Sequence, residues 1–277
     1  MMSNSPDWNS FARKQAGERW RKQSAAMGRG LTELLVREAA VEPGMSVLDV
    51  ACGSGEPAIS IASRLTDTGR VIGVDISPEP LAVARERATQ RKLTNVSFQQ
   101  ADVQRLPFAD ATFDRVTCRL GLMFIADVAQ ALGEIKRVLR PNGRFAMATW
   151  GPLAQPYFEN TIGTVRRMIP QLQVPPGAES MFRFGNPDVL RSALSSAGFV
   201  DVESDLKRVP WNWEGTPREL WEYFQGVTVP FAPMLKEIPR ERKQEIDREV
   251  EAEIRHLYDG SMVRLEAQFT VAVAINP

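Results

Sequence analysis

The apolar positions of the chain form short runs that alternate with longer stretches of helical spacing. In the first run, Val47-Leu48-Asp49-Val50 leads into Ala51-Cys52-Gly53-Ser54-Gly55. Ala58, Ile59, Ile61, Ala62 and Leu65 then recur on one helix face. The pattern predicts a buried strand, a glycine turn, and a helix with Pro57 in its first turn. Val71-Ile72-Gly73-Val74-Asp75 predicts a second strand, and Ser77-Pro78 starts a helix carrying Leu81, Ala84 and Ala88. Val96 and Phe98 alternate with polar neighbours, so the third strand is expected to be less buried and near a sheet edge. Strands at 113–118 and 145–150 flank a helix whose face is Val128, Leu132, Ile135, Val138 and Leu139. Ahead of all this, Trp8 to Ala40 reads as helical. Phe11, Trp20 and Met27 are its large apolar residues, and Leu31, Leu34, Leu35 and Val36 follow.

Past Trp150 the rhythm loosens. A helix is expected around Ile162, Val165 and Ile169, and another from Asn186-Pro187-Asp188 to near Gly198. A sixth strand covers 199–209. The last strand falls within 262–275, where Phe269-Thr270-Val271-Ala272-Val273 alternates. A long, mostly helical insert lies between these two strands. In its charged second half Ile246, Val250, Ile254 and Leu257 keep helical spacing, which marks a solvated helix with one apolar side and leaves His256 as a surface or capping residue. Strands alternating with helices imply parallel βαβ units. The expected fold is α/β, a doubly wound, Rossmann-like seven-stranded sheet. The expected organisation is a helical arm over 1–40, a core over 41–150 and a core continuation over 151–209. A helical cap insert at 210–260 and the last strand at 261–277 complete it, with arm and insert covering the carboxyl ends of the strands.

Thirty-four basic and 34 acidic residues balance in 277, so charge directs the chain neither to nucleic acid nor to an anionic membrane. No apolar run is long enough to span a bilayer, and the first residues lack the apolar core of a signal peptide; the sequence reads as cytoplasmic. Cys52 and Cys118 make no disulfide scaffold. With His256 they show no metal-ligand spacing, so no metal is expected.

Gly53-Ser54-Gly55-Glu56-Pro57-Ala58 satisfies G-x-G-x-x-A, and Asp75 ends the second strand, where an acid takes the two hydroxyls of a ribose. So far a nicotinamide enzyme and a nucleoside-thioether enzyme fit equally. Two acids separate them. Asp49, inside the first strand, is awkward beside a pyrophosphate but useful beside an ammonium group. Asp102, in Gln100-Ala101-Asp102-Val103, is well placed for the amino group of an adenine.

Together with Leu106-Pro107-Phe108, Phe113-Asp114-Arg115-Val116 and Arg137-Val138-Leu139-Arg140-Pro141-Asn142-Gly143, these motifs resemble the class I S-adenosylmethionine-dependent methyltransferases over about 40–150. Within that family they are most similar to the branch of ubiquinone and menaquinone C-methyltransferases. The resemblance implies an enzyme with S-adenosylmethionine as cofactor. Asp49, Ala51, Gly53, Ser54 and Gly55 would cradle its methionine part. Asp75 would take the ribose, with Ile76 against the adenine, Asp102 and Val103 at the adenine edge, and the Arg119 backbone facing the methionine end. Where the family often carries a histidine or other polar residue, this chain has Leu122-Met123-Phe124, so no catalytic base is assigned.

The reaction expected is direct in-line methyl transfer to a small apolar or aromatic acceptor. Its pocket is expected to draw on Trp20, Met123, Phe124, Trp150, Trp211, Trp213 and Trp221. With Tyr223, Phe224 and Phe231, the insert holds too many rings in too short a segment for all to be buried. Two alternatives stand beside this reading. One is an NAD(P)-dependent oxidoreductase, which Asp49, Asp102 and the lack of a Tyr-x-x-x-Lys proton donor oppose. The other is a module that binds S-adenosylmethionine without catalysis.

Overall fold

The computed structural model of the protein describes residue 15 and residues 17–65 and 68–277; Trp8 and Phe11 of the expected arm lie outside them. Two helices, α1 (Arg21–Met27) and α2 (Arg29–Glu38), precede β1 (Ser46–Val50), and a break at Gly28 separates them. Every residue of β1 is buried, as its apolar run predicts. α3 (Ala58–Leu65) buries the expected face of Ala58, Ile59, Ile61, Ala62 and Leu65. β2 (Arg70–Asp75), α4 (Pro78–Gln90) and β3 (Val96–Gln100) follow. In β3 only Phe98 is fully buried, because the strand sits at the sheet edge. β4 (Phe113–Arg119) leads to α5 (Val128–Val138), whose N-terminus is capped by the Asp127 carboxylate accepting the Gln130 N–H. β5 (Leu139–Trp150) starts earlier than expected and carries Asn142 at φ 61° within it.

After β5 the single helix expected around Ile162 is instead a series of short pieces, with a π-type turn at Glu159–Gly163. α6 (Pro187–Ser196) is capped by Asn186, and Gly198 follows it at φ 83°, a conformation that favours glycine. β6 (Val200–Pro210) comes next, then a two-residue strand, β7 (Trp213–Glu214). α7 (Pro217–Val227) opens on a capping box formed by Thr216 and Glu219. α8 (Lys243–Arg255) buries Ile246, Val250 and Ile254 along its charged length and ends on His256 as its C-cap. The expected last strand is broken in two: β8 (Met262–Val263) pairs with β7, and β9 (Glu266–Ile275) joins the main sheet.

That sheet has seven strands in the order β3-β2-β1-β4-β5-β9-β6. β3 to β5 are parallel and β9 runs antiparallel to β5. The order reverses direction between β1 and β4, so the carboxyl ends of those two strands flank the crevice where doubly wound folds bind ligands.

The chain divides into two compact units. The larger holds 31–150, 184–207 and 269–277; the smaller holds 151–183, 208–268 and the described part of 1–30. The arm divides at Gly30, and the 151–209 segment is shared between the units, because packing rather than chain order decides membership. In the larger unit, Ile59, Ile61, Leu65, Leu81, Ala84 and Phe98 form one apolar cluster with β1 and β2 residues.

The smaller unit has an aromatic core. Trp213 stacks on Tyr223 with centroids 4.7 Å apart, and Trp20 meets Trp213 edge-on at 5.4 Å. Trp221 stacks on Phe224, and Phe158, Phe224 and Phe231 contact one another. The expectation that the insert's rings were too many to bury is therefore incorrect: Trp211, Trp213, Trp221, Tyr223, Phe224 and Phe231 are all at most 9% exposed. They achieve this by packing on each other, which gives aromatic pairs about 0.5–1.5 kcal/mol beyond simple burial.

Candidate functional site

The site is built within the larger unit, on the loops that follow β1, β2, β3 and β4. Ala51 and Gly53 adopt φ of 54° and 51°, and Gly55 adopts 101°. The turn is closed by the Gly55 N–H donating to the Cys52 carbonyl at 2.9 Å, and the Cys52 N–H anchors it to Val74 of β2. A Cβ at Gly53 would meet nothing within 4 Å, so open space lies over this part of the turn. Gly55 is different: a Cβ there would lie 2.7 Å from Ile59 Cδ1 and 3.1 Å from Ala84 Cβ, in a backbone conformation that favours glycine. Gly55→Ala should therefore destabilise the fold by about 1–3 kcal/mol. Urea denaturation followed by circular dichroism checks this; an unchanged midpoint would show that α3 and α4 tolerate the methyl group.

Two carboxylates occupy the N-terminal donors of α3. Asp49 is completely buried; its Oδ2 accepts the Ala58 N–H at 3.1 Å and its Oδ1 accepts the Thr117 hydroxyl of β4 at 2.8 Å. Burial pushes its carboxyl up to about 7, against the Thr117 and Ala58 hydrogen bonds and the nearby Arg119 charge, which favour the anion. Glu56 accepts the Ser60 N–H at 3.3 Å and the Ser60 hydroxyl at 2.6 Å. Arg87, from α4, donates to Glu56 at 3.0 Å and to the Ser54 carbonyl, and the Arg119 Nε donates to the Glu56 carbonyl at 3.3 Å. A helix N-terminus is ordinarily an anion site. Here the chain's own acids already fill it.

The next loops bring further acids to the same end of the sheet. Asp75 accepts the Gly53 N–H on one oxygen and the Ser77 N–H on the other, each at 2.9 Å. Ser77, the N-cap of α4, makes no side-chain cap; its own backbone N–H is the donor that Asp75 holds. Ile76 beside it is 63% exposed, the most exposed large apolar side chain among the described residues, and offers an apolar surface next to the acid. After β3, Asp102 accepts the backbone and side-chain donors of Gln104, and Val103 is buried. A Cβ on Gly121 would collide with the Cβ of Ala51, so glycine there lets the loop after β4 lie against the glycine turn.

The structure thus brings Asp49, Ala51, Gly53, Ser54, Gly55, Asp75, Ile76, Asp102, Val103 and Arg119 onto neighbouring loops of one unit. The contact that Arg119 makes there is through its guanidinium, on the Glu56 carbonyl. Met123 and Trp150 are buried and Phe124 is half-buried in this unit. Trp20, Trp211, Trp213 and Trp221 belong to the aromatic core of the other. Sequence reasoning missed Glu56, Arg87, Gln104 and Thr117. For Glu56 a signal existed: a charged residue inside a glycine turn, four positions before Ser60. Cys52 and Cys118 are free, buried thiols, and burial pushes both up, Cys118 to about 12. Among the described residues no cluster of metal-ligating side chains occurs, and no helix is long and apolar enough to cross a membrane.

The strand order defines a doubly wound protein with a row of acids, Asp49, Asp75 and Asp102, in or just past three successive strands. A methyltransferase-domain family model matches residues 41–172. The demethylmenaquinone methyltransferase of Deinococcus radiodurans is 34% identical over 190 residues, spanning 64% of this chain and 76% of that one. The enzyme of the same name from Shouchella clausii is 31% identical over 204 residues, spanning 70% and 82%. Among solved structures, an S-adenosylmethionine-dependent methyltransferase from Aquifex aeolicus superposes with a TM-score of 0.54 at 20% identity, over 72% of this chain and 94% of that one. This chain belongs to the class I S-adenosylmethionine-dependent methyltransferases, in their quinone methyltransferase branch. It is an enzyme, and its cofactor is S-adenosylmethionine. The site suits that group: the turn has open space at Gly53, the anion-binding donors of α3 are filled by acids, and an exposed isoleucine adjoins a carboxylate.

Proposed function

We propose that the protein methylates a ring carbon of a reduced, naphthoquinone-type acceptor, and that the residues of the glycine turn and strand ends hold the cofactor as follows. Asp75 accepts the ribose hydroxyls, and Ile76 packs on one adenine face. Asp102 and the Val103 backbone read the adenine edge. Gly53, Ser54 and Gly55 admit the methionine portion, whose ammonium group the ionised form of Asp49 favours. The single observation that carries this reading is the double carboxylate occupancy of the α3 N-terminus, by Asp49 at Ala58 and Glu56 at Ser60. A dinucleotide places its pyrophosphate on the free N–H donors of such a terminus, but here the Ala58 and Ser60 N–H groups are already taken by the chain's own acids. A cofactor with an ammonium and a sulfonium group meets attraction there instead.

When bound, S-adenosylmethionine supplies an activated methyl group whose leaving group is a neutral thioether. The protein's own work is then to align the acceptor and to exclude water. The buried, apolar side chains of Leu122 and Met123 after β4 fit that task better than proton transfer does. The choice of acceptor class is supported by the names of the Deinococcus and Shouchella relatives. The two free thiols fit a reducing, cytoplasmic compartment. The test is to incubate the purified protein with methyl-labelled S-adenosylmethionine and a panel of reduced naphthoquinones, phenols and amines, and to locate the label by mass spectrometry. Label on a ring carbon of the quinols is the expected result. Label only on a phenol oxygen or an amine would overturn the acceptor assignment while leaving the cofactor site intact.

A further inference from the structure

The acid after β3 is held by an arrangement that the cofactor reading alone does not require. Gln104 lies two residues beyond Asp102. Its backbone N–H donates to Asp102 Oδ1 at 2.9 Å, and its side-chain Nε2 lies 3.2 Å from both carboxylate oxygens. The other end of the same amide, Oε1, accepts the backbone N–H of Asp127 at 3.1 Å. The Gln104 carbonyl accepts from Gln130 Nε2 at 3.1 Å. Asp127 and Gln130 are themselves joined, since Asp127 caps the first turn of α5 through the Gln130 N–H at 2.9 Å. Gln104 is thus tied at two points to a helix terminus whose position is fixed by its own cap.

Two features give this arrangement a meaning beyond loop bracing. First, the amide has a donor to satisfy on one side and an acceptor on the other. Only one of its two orientations meets a carboxylate with NH₂ and an N–H with C=O, so its direction is determined. Second, a carboxylate offers about four acceptor positions, and the backbone and side-chain donors of Gln104 do not use all of them. The plane of the carboxylate is set while its remaining lone pairs stay available. A neutral amide does this without cancelling the charge, as an arginine partner would. A fixed, still-charged acceptor suits the exocyclic amino group of adenine and repels a base that carries a carbonyl oxygen at that position.

We propose that Gln104 is the positioning residue that orients the Asp102 carboxylate, and that through it the site discriminates adenine from 6-oxo purines. The proposal rests on the reading of Asp102 as the acid at the adenine edge. It is tested by calorimetric titration of the full-length protein and its Gln104→Met and Gln104→Glu variants with S-adenosylhomocysteine and with S-inosylhomocysteine, which carries a carbonyl where adenine has its amino group. Gln104→Glu keeps the shape but replaces the donor with an acceptor. Thermal unfolding of each variant reports whether the fold is kept. The wild type should prefer the adenine ligand. In both variants S-adenosylhomocysteine should bind about tenfold more weakly, the loss of one charge-assisted hydrogen-bond arrangement. S-inosylhomocysteine should change little, so that the preference shrinks by about the same factor. Equal weakening of both ligands would overturn the proposal, because a mere loop brace does not distinguish the bases. So would unchanged binding of both. Failure of the wild type to bind S-adenosylhomocysteine at all would instead overturn the cofactor reading of Asp102, and this proposal with it.

Discussion

Asp75→Ala is expected to weaken binding of S-adenosylhomocysteine by about 1–3 kcal/mol, because a charged acceptor is removed from two hydroxyl donors. The structure adds a second source of loss. Asp75 also accepts the N–H groups of Gly53 and Ser77, so its carboxylate ties the glycine turn to the start of α4. The alanine variant loses both the ligand contact and part of the site's preorganisation. Asp75→Asn separates these. It retains one acceptor oxygen for a backbone N–H but no charge for the ribose, and should bind with intermediate affinity. Calorimetry on the three proteins, with NAD(H) as a control that should not bind the wild type, measures the effect. Unchanged affinity in the alanine variant would remove Asp75 from the site.

The second large effect concerns Asp49. Its carboxyl is pushed up from an ordinary 3.8 to about 7, chiefly because burial disfavours the anion. A carboxyl raised in the folded state binds its proton more tightly there than in the unfolded chain. It therefore imposes no charge penalty below pH 4, a growing one from pH 4 to 7, and the full penalty above 7. A gap of about three pH units corresponds to an upper bound of about 4 kcal/mol. Asp49→Asn removes this penalty. Its amide oxygen can accept the Ala58 N–H while its NH₂ donates to Thr117, whose hydroxyl rotates to receive it. The variant should be more stable than wild type at pH 8, by about 2 kcal/mol after allowing for the weaker neutral hydrogen bonds, and equal to it near pH 4. It should also bind the cofactor more weakly. A cationic ligand favours the ionised acid, so wild-type affinity should rise from pH 6 to 8 and that rise should vanish in Asp49→Asn. Greater stability with poorer binding is the signature of a site that keeps a costly charge for its ligand. Denaturation and titration at the two pH values check both halves. A variant less stable than wild type at pH 8 would show that the carboxylate is a net structural asset.

The behaviour of these acids shows where local sequence information ends. The alternation of apolar runs with helical faces predicted β1 to β4, α3, α4 and α5 at nearly their observed limits. Each element is specified by its own periodicity and by turn residues within a few positions. The same local pattern put Asp75 at the end of β2 and Asp102 just past the end of β3, and identified β3 as an edge strand. It also predicted the apolar stripe of α8 among its charges. Other features depend on residues distant along the chain. The hydroxyl that meets Asp49 belongs to Thr117, which stands opposite it only because β4 lies beside β1 in that register. Arg87 reaches Glu56 across the gap between two helices, and Gln104 meets Asp127 only where α5 begins next to the β3 loop. The fate of the aromatic insert was decided in the same way. Counting rings in a short segment predicted exposure, but rings from Trp20, Tyr157, Phe158 and Phe182 complete a shared core with them. The sequence by itself determined which segments are strands and helices and which carboxylates end the strands, since those follow from neighbours in the chain. Only the tertiary structure decided which donors those carboxylates meet, how strongly each is desolvated and which rings are buried, because register and packing bring together residues that no local pattern relates.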